Sequence, residues 1–185
     1  MLLLVTGLLI FVAIHMLPTF APARRQLVQK LGAGPYKGIF SVIALLGLVL
    51  VIMGKAGAPV ISVWQPPPWG RHVALALMPV SCILLAAAYM PTNLKRLTPH
   101  PMLWGVTLWA AVHLLANGDL ASTVLFGGFG LFALCAMWSA NLRGATVSTT
   151  RHAAGKDALV IGVGLLAYLI LLFAHRYLFG VSPMA

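Results

Sequence analysis

The sequence predicts an all-α fold, a polytopic membrane protein in which six transmembrane helices form one bundle. Of its 185 residues, 61% are hydrophobic and only 8% are charged, and the mean hydropathy is +1.00. About a quarter of the residues of a soluble domain are charged, so the composition excludes a soluble globular enzyme and a disordered chain. The apolar residues also form long runs, each close to the roughly 20 residues that a helix needs to cross a bilayer. We expect a single transmembrane domain over residues 1–185.

Each predicted span is an apolar run that ends at charged or turn-forming residues. The first run has no charge before it, so we interpret it as a helix and not as a cleaved signal peptide. The run from Pro101 to Ser139 is too long for one span. The sequence Asn117-Gly118-Asp119 interrupts it and is typical of a turn, which divides the run into a helical hairpin. The predicted helices cover residues 2–20, 36–53, 72–90, 101–117, 120–139 and 157–179.

The basic residues predict the direction of these helices. Most of the 12 Lys and Arg residues follow the first, third and fifth helices, and only Lys55, Arg71 and Arg176 lie on the other side. The positive-inside rule then places both termini on the non-cytoplasmic side of the membrane. Scattered between apolar runs, the cations form no stripe that would bind nucleic acid, so membrane lipid is their expected partner.

Two of the six histidines, His15 and His113, lie inside predicted spans, where ionisable groups are costly and indicate functional sites. Each has a glycine two helical turns before it, Gly7 and Gly105, which would let a flat ring system approach. Asn117 follows His113 by one turn. We expect its side chain to hold the second imidazole nitrogen, as a metal-ligating histidine usually requires.

Two imidazoles on different helices of an apolar bundle are the ligands that six-coordinate, non-covalent haem b requires. In this hypothesis His15 and His113 bind the iron. Arg24 and Arg25 are the candidate partners of the haem propionates, with two further cations, Lys95 and Arg96, behind them. The alternative is that both histidines only form hydrogen bonds between helices.

The depth of the two histidines leaves a second pairing open. At about 1.5 Å per residue, His113 lies roughly 18 Å beyond Pro101 at the cytoplasmic face, and His15 lies about 10 Å from that face. Axial nitrogens must lie about 4 Å apart across a metal ion. Unless the helices tilt, His15 would pair with His100, at the cytoplasmic start of the fourth helix.

The other polar residues indicate no catalytic set. Asp119 and Asp157 are the only acidic residues, and both are expected to cap the start of a helix. The chain therefore has no pair of carboxylates that could act together as acid and base, and it has no acidic residue left for a Ser-His-Asp triad. Cys82 and Cys135 lie in apolar runs and form no Cys-x-x-Cys motif, so neither a disulfide framework nor covalent haem is indicated. Any chemistry would come from a bound cofactor, and no residue is predicted to be catalytic.

Two motifs carry a family resemblance. The sequences His-Pro-Met-Leu-Trp-Gly at residues 100–105 and His-Leu-Leu-Ala-Asn-Gly-Asp at residues 113–119 strongly resemble the NnrU family. The start of the chain is similar to the same family through His15, Arg24-Arg25 and Pro-Tyr-Lys-Gly at residues 35–38.

This resemblance implies a multi-pass protein of the bacterial inner membrane that is linked to nitric oxide and nitrite metabolism in denitrifiers. It also implies kinship with the plant 15-cis-zeta-carotene isomerases, which are haem b enzymes. His15 and His113 match the histidines assigned there as axial ligands, and His100 matches a conserved His-Pro motif. One position differs from the isomerase pattern. The isomerases have a cysteine three residues before the second ligand histidine, and this chain has Ala110 there.

The leading hypothesis is therefore a haem b protein with a redox or nitric-oxide-related role, whose ligand is nitric oxide or a lipophilic polyene. By the resemblance, an isomerase-like activity belongs to this hypothesis. The alternative is a non-enzymatic membrane accessory or assembly subunit without a cofactor. It would pack against a membrane protein partner or a second copy through small residues such as Gly127–Gly130. A transporter ranks third, since neither intramembrane charge pairs nor broken half-helices in repeat are evident.

Overall fold

The computed structural model describes residues 1–184, and within that range the chain is all-helical. The helices are α1 (Leu2–Met16), α2 (Ala21–Leu31), α3 (Ala33–Ala56), α4 (Gly70–Tyr89), α5 (Pro101–Ala116), α6 (Leu120–Leu142) and α7 (Ala154–Phe179). Four of them, and α1 with the 3-10 turn that extends it, are long and apolar enough to cross a membrane, while α5 is a shorter apolar helix. The predicted fold class, a polytopic helical membrane protein, is confirmed.

Helix α2 was not predicted. Pro22 stands in its first turn, where a missing N–H costs nothing, and Gly32, with a φ of 85°, separates it from α3. Its charged residues, Arg24, Arg25 and Lys30, made the segment too polar to be recognised as a span. It is an amphipathic helix between two membrane-spanning ones, which is typical of a helix at the membrane surface.

Helices α1 and α3 are antiparallel, and their backbones touch. A Cβ added at Gly7 would lie 2.6 Å from the backbone nitrogen of Val51, and one at Gly54 would lie 2.2 Å from that of Leu4. Close contact through small residues is the usual way in which helices associate in lipid, where the hydrophobic effect gives no attraction between them.

The main contacts place the helices in the order α3, α1, α6, α5, α4, α7, with each helix packed against the next. Helix α6 therefore lies between α1 and α5. The small-residue patch of α6 is largely used inside the protein, since Gly128 faces the side chain of Leu8 and Gly130 faces Ala110. Only Gly127 has no neighbouring atoms at its Cβ position.

The loop between α3 and α4 is tied to the α5–α6 turn by short backbone hydrogen bonds. Val63 N donates to Gly118 O at 2.8 Å, and Leu120 N donates to Ile61 O at 2.8 Å. The loop thus covers the end of the bundle at which α5 ends.

Candidate functional site

His15 lies in the last turn of α1, among aromatic rings. Its ring stacks on Phe11 with centroids 4.0 Å apart and lies 5.2 Å from Phe40 and 5.9 Å from Phe132. Its Nδ1 is 2.7 Å from the carbonyl oxygen of Phe11. Because a carbonyl oxygen only accepts hydrogen bonds, Nδ1 carries the proton, and Nε2 of the neutral ring keeps its lone pair.

His113 lies in the last turn of α5 and has the same arrangement. Its Nδ1 donates to the carbonyl oxygen of Trp109 at 2.8 Å, and its ring centroid lies 4.7 Å from that of Phe126 and 5.3 Å from that of Trp109. Both histidines therefore present Nε2 as the free nitrogen. A backbone carbonyl that fixes the other nitrogen is a common support for a metal-ligating imidazole.

The structure does not bring the two imidazoles to one point. Phe11 lies 5.1 Å from Phe129, and Phe129 lies 5.7 Å from Trp109, so a continuous chain of rings separates His15 from His113. The residues of α6 that contact the two histidines, Phe132 and Phe126, are six positions apart, which is about 9 Å along a helix axis. The free imidazole nitrogens are suitable ligands for haem iron. The separation of the two histidines does not suit haem in this packing, because the three rings between them occupy the place of a macrocycle.

The alternative pairing of His15 with His100 is not formed either. His100 precedes α5 and so lies at the end of that helix opposite to His113. Its Nε2 lies 2.7 Å from Oδ1 of Asn141, near the end of α6. The ring of His100 is thus held by α6 and not by α1.

Asn117 does not hold the imidazole of His113, and the predicted contact is wrong. Its Nδ2 donates to the backbone carbonyl of His113 at 2.8 Å. The reason is that α5 ends at Ala116, so Asn117 is extended and its amide reaches back to a carbonyl that has no partner within the helix.

The predicted propionate partners lie at the surface. Arg24 and Arg25 are exposed on α2, which follows α1 and so lies at the His15 end of that helix. Lys95, which is half-buried, and Arg96, which is exposed, belong to a 3-10 turn after α4. Within residues 1–184 the single salt bridge joins Lys55 to Asp119, so these four cations have no carboxylate partner there.

Asp119 caps α6 as predicted, since its carboxylate accepts a hydrogen bond from Ser122 N at 2.9 Å. Its second partner was not predicted from the sequence. Lys55 Nζ donates to Asp119 Oδ1 and to Ser122 Oγ, both at 2.8 Å. Burial opposes ionisation of Asp119, but the hydrogen bonds from Lys55 and Ser122 outweigh it and lower the pKa of Asp119 from 3.8 to about 2. Asp119 is an ionised structural group that joins α3 to α6.

Asp157 does not cap α7, and the prediction was wrong. The helix begins three residues earlier, at Ala154, so Asp157 already belongs to it. Its carboxylate instead accepts hydrogen bonds from Thr92 Oγ1 at 2.6 Å, from Asn93 N at 2.7 Å and from Asn93 Nδ2 at 2.6 Å. These bonds fasten α7 to the turn after α4.

Two cavities lie at the ends of the bundle, and neither is lined by His15 or His113. One of about 370 Å³ is lined by Arg71 and His72 at the start of α4, and one of about 640 Å³ lies beside His100. Across residues 1–184 there is no group of three or more His, Cys, Asp or Glu side chains that could hold a metal ion.

The chain is similar to a known protein family. A family model described as "NnrU protein" matches residues 3–183, which is nearly the whole chain. A search of curated proteins found no match, and a search of solved structures found none.

Proposed function

The chain belongs to the NnrU family of integral membrane proteins, and on that premise we propose that it binds haem b in the bacterial inner membrane. His15 and His113 are the proposed axial ligands. Bound haem would supply one-electron redox chemistry and an iron that binds small molecules such as nitric oxide. The proposed role is therefore redox or nitric-oxide-related.

One observation supports this proposal above the others. His15 and His113 each donate Nδ1–H to the carbonyl four residues earlier, on Phe11 and Trp109, and so leave Nε2 without a partner among residues 1–184. Histidines that served only to join helices would use a ring nitrogen across the interface. Here neither ring forms such a bond, which suits a nitrogen kept for a ligand.

The proposal requires the aromatic chain to open. Phe11, Phe129 and Trp109 fill the space between the two histidines, so haem would take the place of that ring packing. All three are flat and apolar, as the surroundings of a macrocycle need to be. The exposed cations Arg24 and Arg25, at the His15 end of α1, would pair with the propionates.

Position 110 favours a redox or nitric-oxide role over an isomerase that acts on a polyene through a thiol. Ala110 is buried, with 1% of its surface exposed. A Cβ added at Gly130 would lie only 3.2 Å from the Cβ of Ala110. The two thiols are on other helices, Cys82 buried on α4 and Cys135 exposed on α6.

The test is a reduced-minus-oxidised absorbance spectrum with a pyridine haemochrome assay, on detergent-purified protein produced with haem supplied. We expect a b-type spectrum that His15→Ala and His113→Ala each abolish or convert to a five-coordinate form. The matched control is His72→Ala. His72 is an exposed histidine at the start of α4, so its loss should leave the spectrum unchanged.

Two outcomes would contradict the proposal. If both ligand variants keep the wild-type spectrum and haem content, the histidines do not bind the iron. A colourless protein that co-purifies with a membrane partner would favour the alternative, an accessory or assembly subunit without a cofactor.

A further inference from the structure

The cavity of about 640 Å³ opens where α4 ends and α5 begins, and its lining combines cationic, hydroxyl and apolar groups. Its residues are Ala88, Lys95, Pro99, His100, Pro101, Met102, Leu103, Thr146, Val147, Ser148, Thr149 and Thr150. We propose that this cavity binds the phosphate of an anionic phospholipid headgroup. The proposal is independent of haem binding.

Charge is the first argument. Lys95 is half-buried, and across residues 1–184 its ammonium has no carboxylate within salt-bridge distance. Asp119 binds Lys55, and Asp157 binds Thr92 and Asn93 in the turn that carries Lys95, but among residues 1–184 Asp157 forms no salt bridge with Lys95. A partly desolvated cation is stabilised by an opposite charge, so an anion in the cavity would be favoured beside Lys95.

The backbone of the segment that carries the cavity's hydroxyl residues is held in place. Ser148 N donates to Lys95 O at 2.9 Å, and His152 N donates to Asn93 Oδ1 at 3.0 Å. The segment 146–150 is thus fastened to the turn that carries Lys95. Hydroxyls fixed beside a cation form the donor set that recognises a phosphate oxygen.

The apolar wall of the cavity indicates a lipid as the source of the phosphate. Ala88 belongs to α4, and Met102 and Leu103 belong to α5, so this wall continues into the apolar helices. Next to it Tyr89 is 80% exposed and Trp104 is 47% exposed. Exposed Tyr and Trp at the ends of spanning helices are typical of the membrane–water boundary, where a headgroup lies beside its own acyl chains.

The experiment titrates the full-length protein in detergent with dioctanoyl phosphatidylglycerol and follows its thermal unfolding midpoint. We expect saturable stabilisation that dioctanoyl phosphatidylcholine does not give, since the choline ammonium opposes Lys95. Lys95→Ala should weaken phosphatidylglycerol binding roughly tenfold, the size expected for the loss of one charge-assisted hydrogen bond. Lys95→Arg should restore most of it.

The control variant is Lys30→Ala, which removes an exposed cation of α2 and should leave the binding unchanged. Equal weakening by Lys30→Ala would show a diffuse charge effect and overturn the proposal, as would equal binding of the two lipids.

A separate titration uses inorganic phosphate in place of the lipid. If phosphate alone stabilises the protein through Lys95 as well as the lipid does, the ligand is a soluble phosphate and the lipid assignment fails. In the part of the chain that the structure describes, the side chain of Lys95 donates no hydrogen bond, so the lipid-free midpoint of Lys95→Ala should match that of the wild type.

Discussion

Asp119 shows how one carboxylate can serve several elements at once. It caps α6 through Ser122 N and holds Lys55 of α3 at 2.8 Å. Asp119 is partly buried, and partly buried polar groups that share hydrogen bonds cost more to remove than isolated surface pairs, because the loss of one partner leaves the others unsatisfied. This network should therefore contribute measurably to stability.

Replacing Asp119 with Asn should lower the unfolding midpoint in detergent, at a cost of about 1–3 kcal/mol for a charged hydrogen-bond partner. The pKa of Asp119 falls from 3.8 to about 2 on folding. The unfolded chain therefore takes up a proton first as the pH drops, and the contribution of Asp119 is complete above about pH 5 and lost towards pH 2. The measurement is the midpoint difference between wild type and Asp119→Asn as a function of pH. It should be constant from pH 7 to 5 and shrink below pH 4, and a decline already between pH 7 and 5 would contradict it.

At the residue scale the sequence predicted some partners and missed others for a physical reason. The cap by Asp119 follows from local spacing, since a carboxylate just before an apolar run reaches the backbone three residues on. The bonds of Asp157 to Thr92 and Asn93 span more than 60 residues, and no local pattern encodes them. The same holds for the salt bridge of Lys55.

At the scale of elements, close contact between α1 and α3 depends on glycines that the span prediction did not distinguish. Gly54 and Gly38 lie on the same helix, but a Cβ at Gly54 would meet the backbone of Leu4, whereas one at Gly38 would have no atom within 4 Å. The two positions form a matched pair.

We expect Gly54→Ala to destabilise the protein by about 1–3 kcal/mol, because backbone atoms cannot yield as a flexible side chain can. Gly38→Ala should be neutral or stabilising by up to about 1 kcal/mol, because alanine is the better helix former. Unfolding midpoints of the two purified variants, each compared with the wild type, are the measurement. Equal effects of the two substitutions would show that α1 and α3 do not touch at Gly54.

The predicted spans locate most helices because hydropathy follows the apolar surface that each helix presents to lipid. Helix α2 was not predicted, because its segment is short and carries Arg24, Arg25 and Lys30, so its hydropathy is low. Hydropathy also does not show where a spanning helix ends in water, and α3 begins at Ala33, before the predicted boundary at residue 36.

At the scale of the whole molecule, the sequence indicates which residues share a helix face but not which helices are neighbours. His15 and His113 were expected to meet, but α6 lies between their helices, and its Phe129 fills the gap together with Phe11 and Trp109. Neighbour relations depend on contacts between distant segments, such as that of Leu8 with Gly128, and no spacing along the chain encodes them.

The orientation in the membrane remains a prediction at this scale. We expect Ser62→Cys, in the loop after α3, to react with a membrane-impermeant maleimide added to intact cells, and Thr149→Cys, in the loop after α6, to react only after the membrane is opened. Cys135 is the exposed native thiol and lies within α6, so Cys135→Ala is the suitable background. The reverse pattern of labelling would place both termini in the cytoplasm.

The order of the helices along the chain determines which of their contacts can form first during synthesis. A nascent chain grows from its N-terminus, so α1 and α3 can pair once residue 56 has left the ribosome, whereas the contact of α1 with α6 has to wait for residues near Phe132. Until then His15 and the aromatic side of α1 face lipid with no partner from α6. The face of α1 that packs on α6 is thus covered later in synthesis than the face that packs on α3.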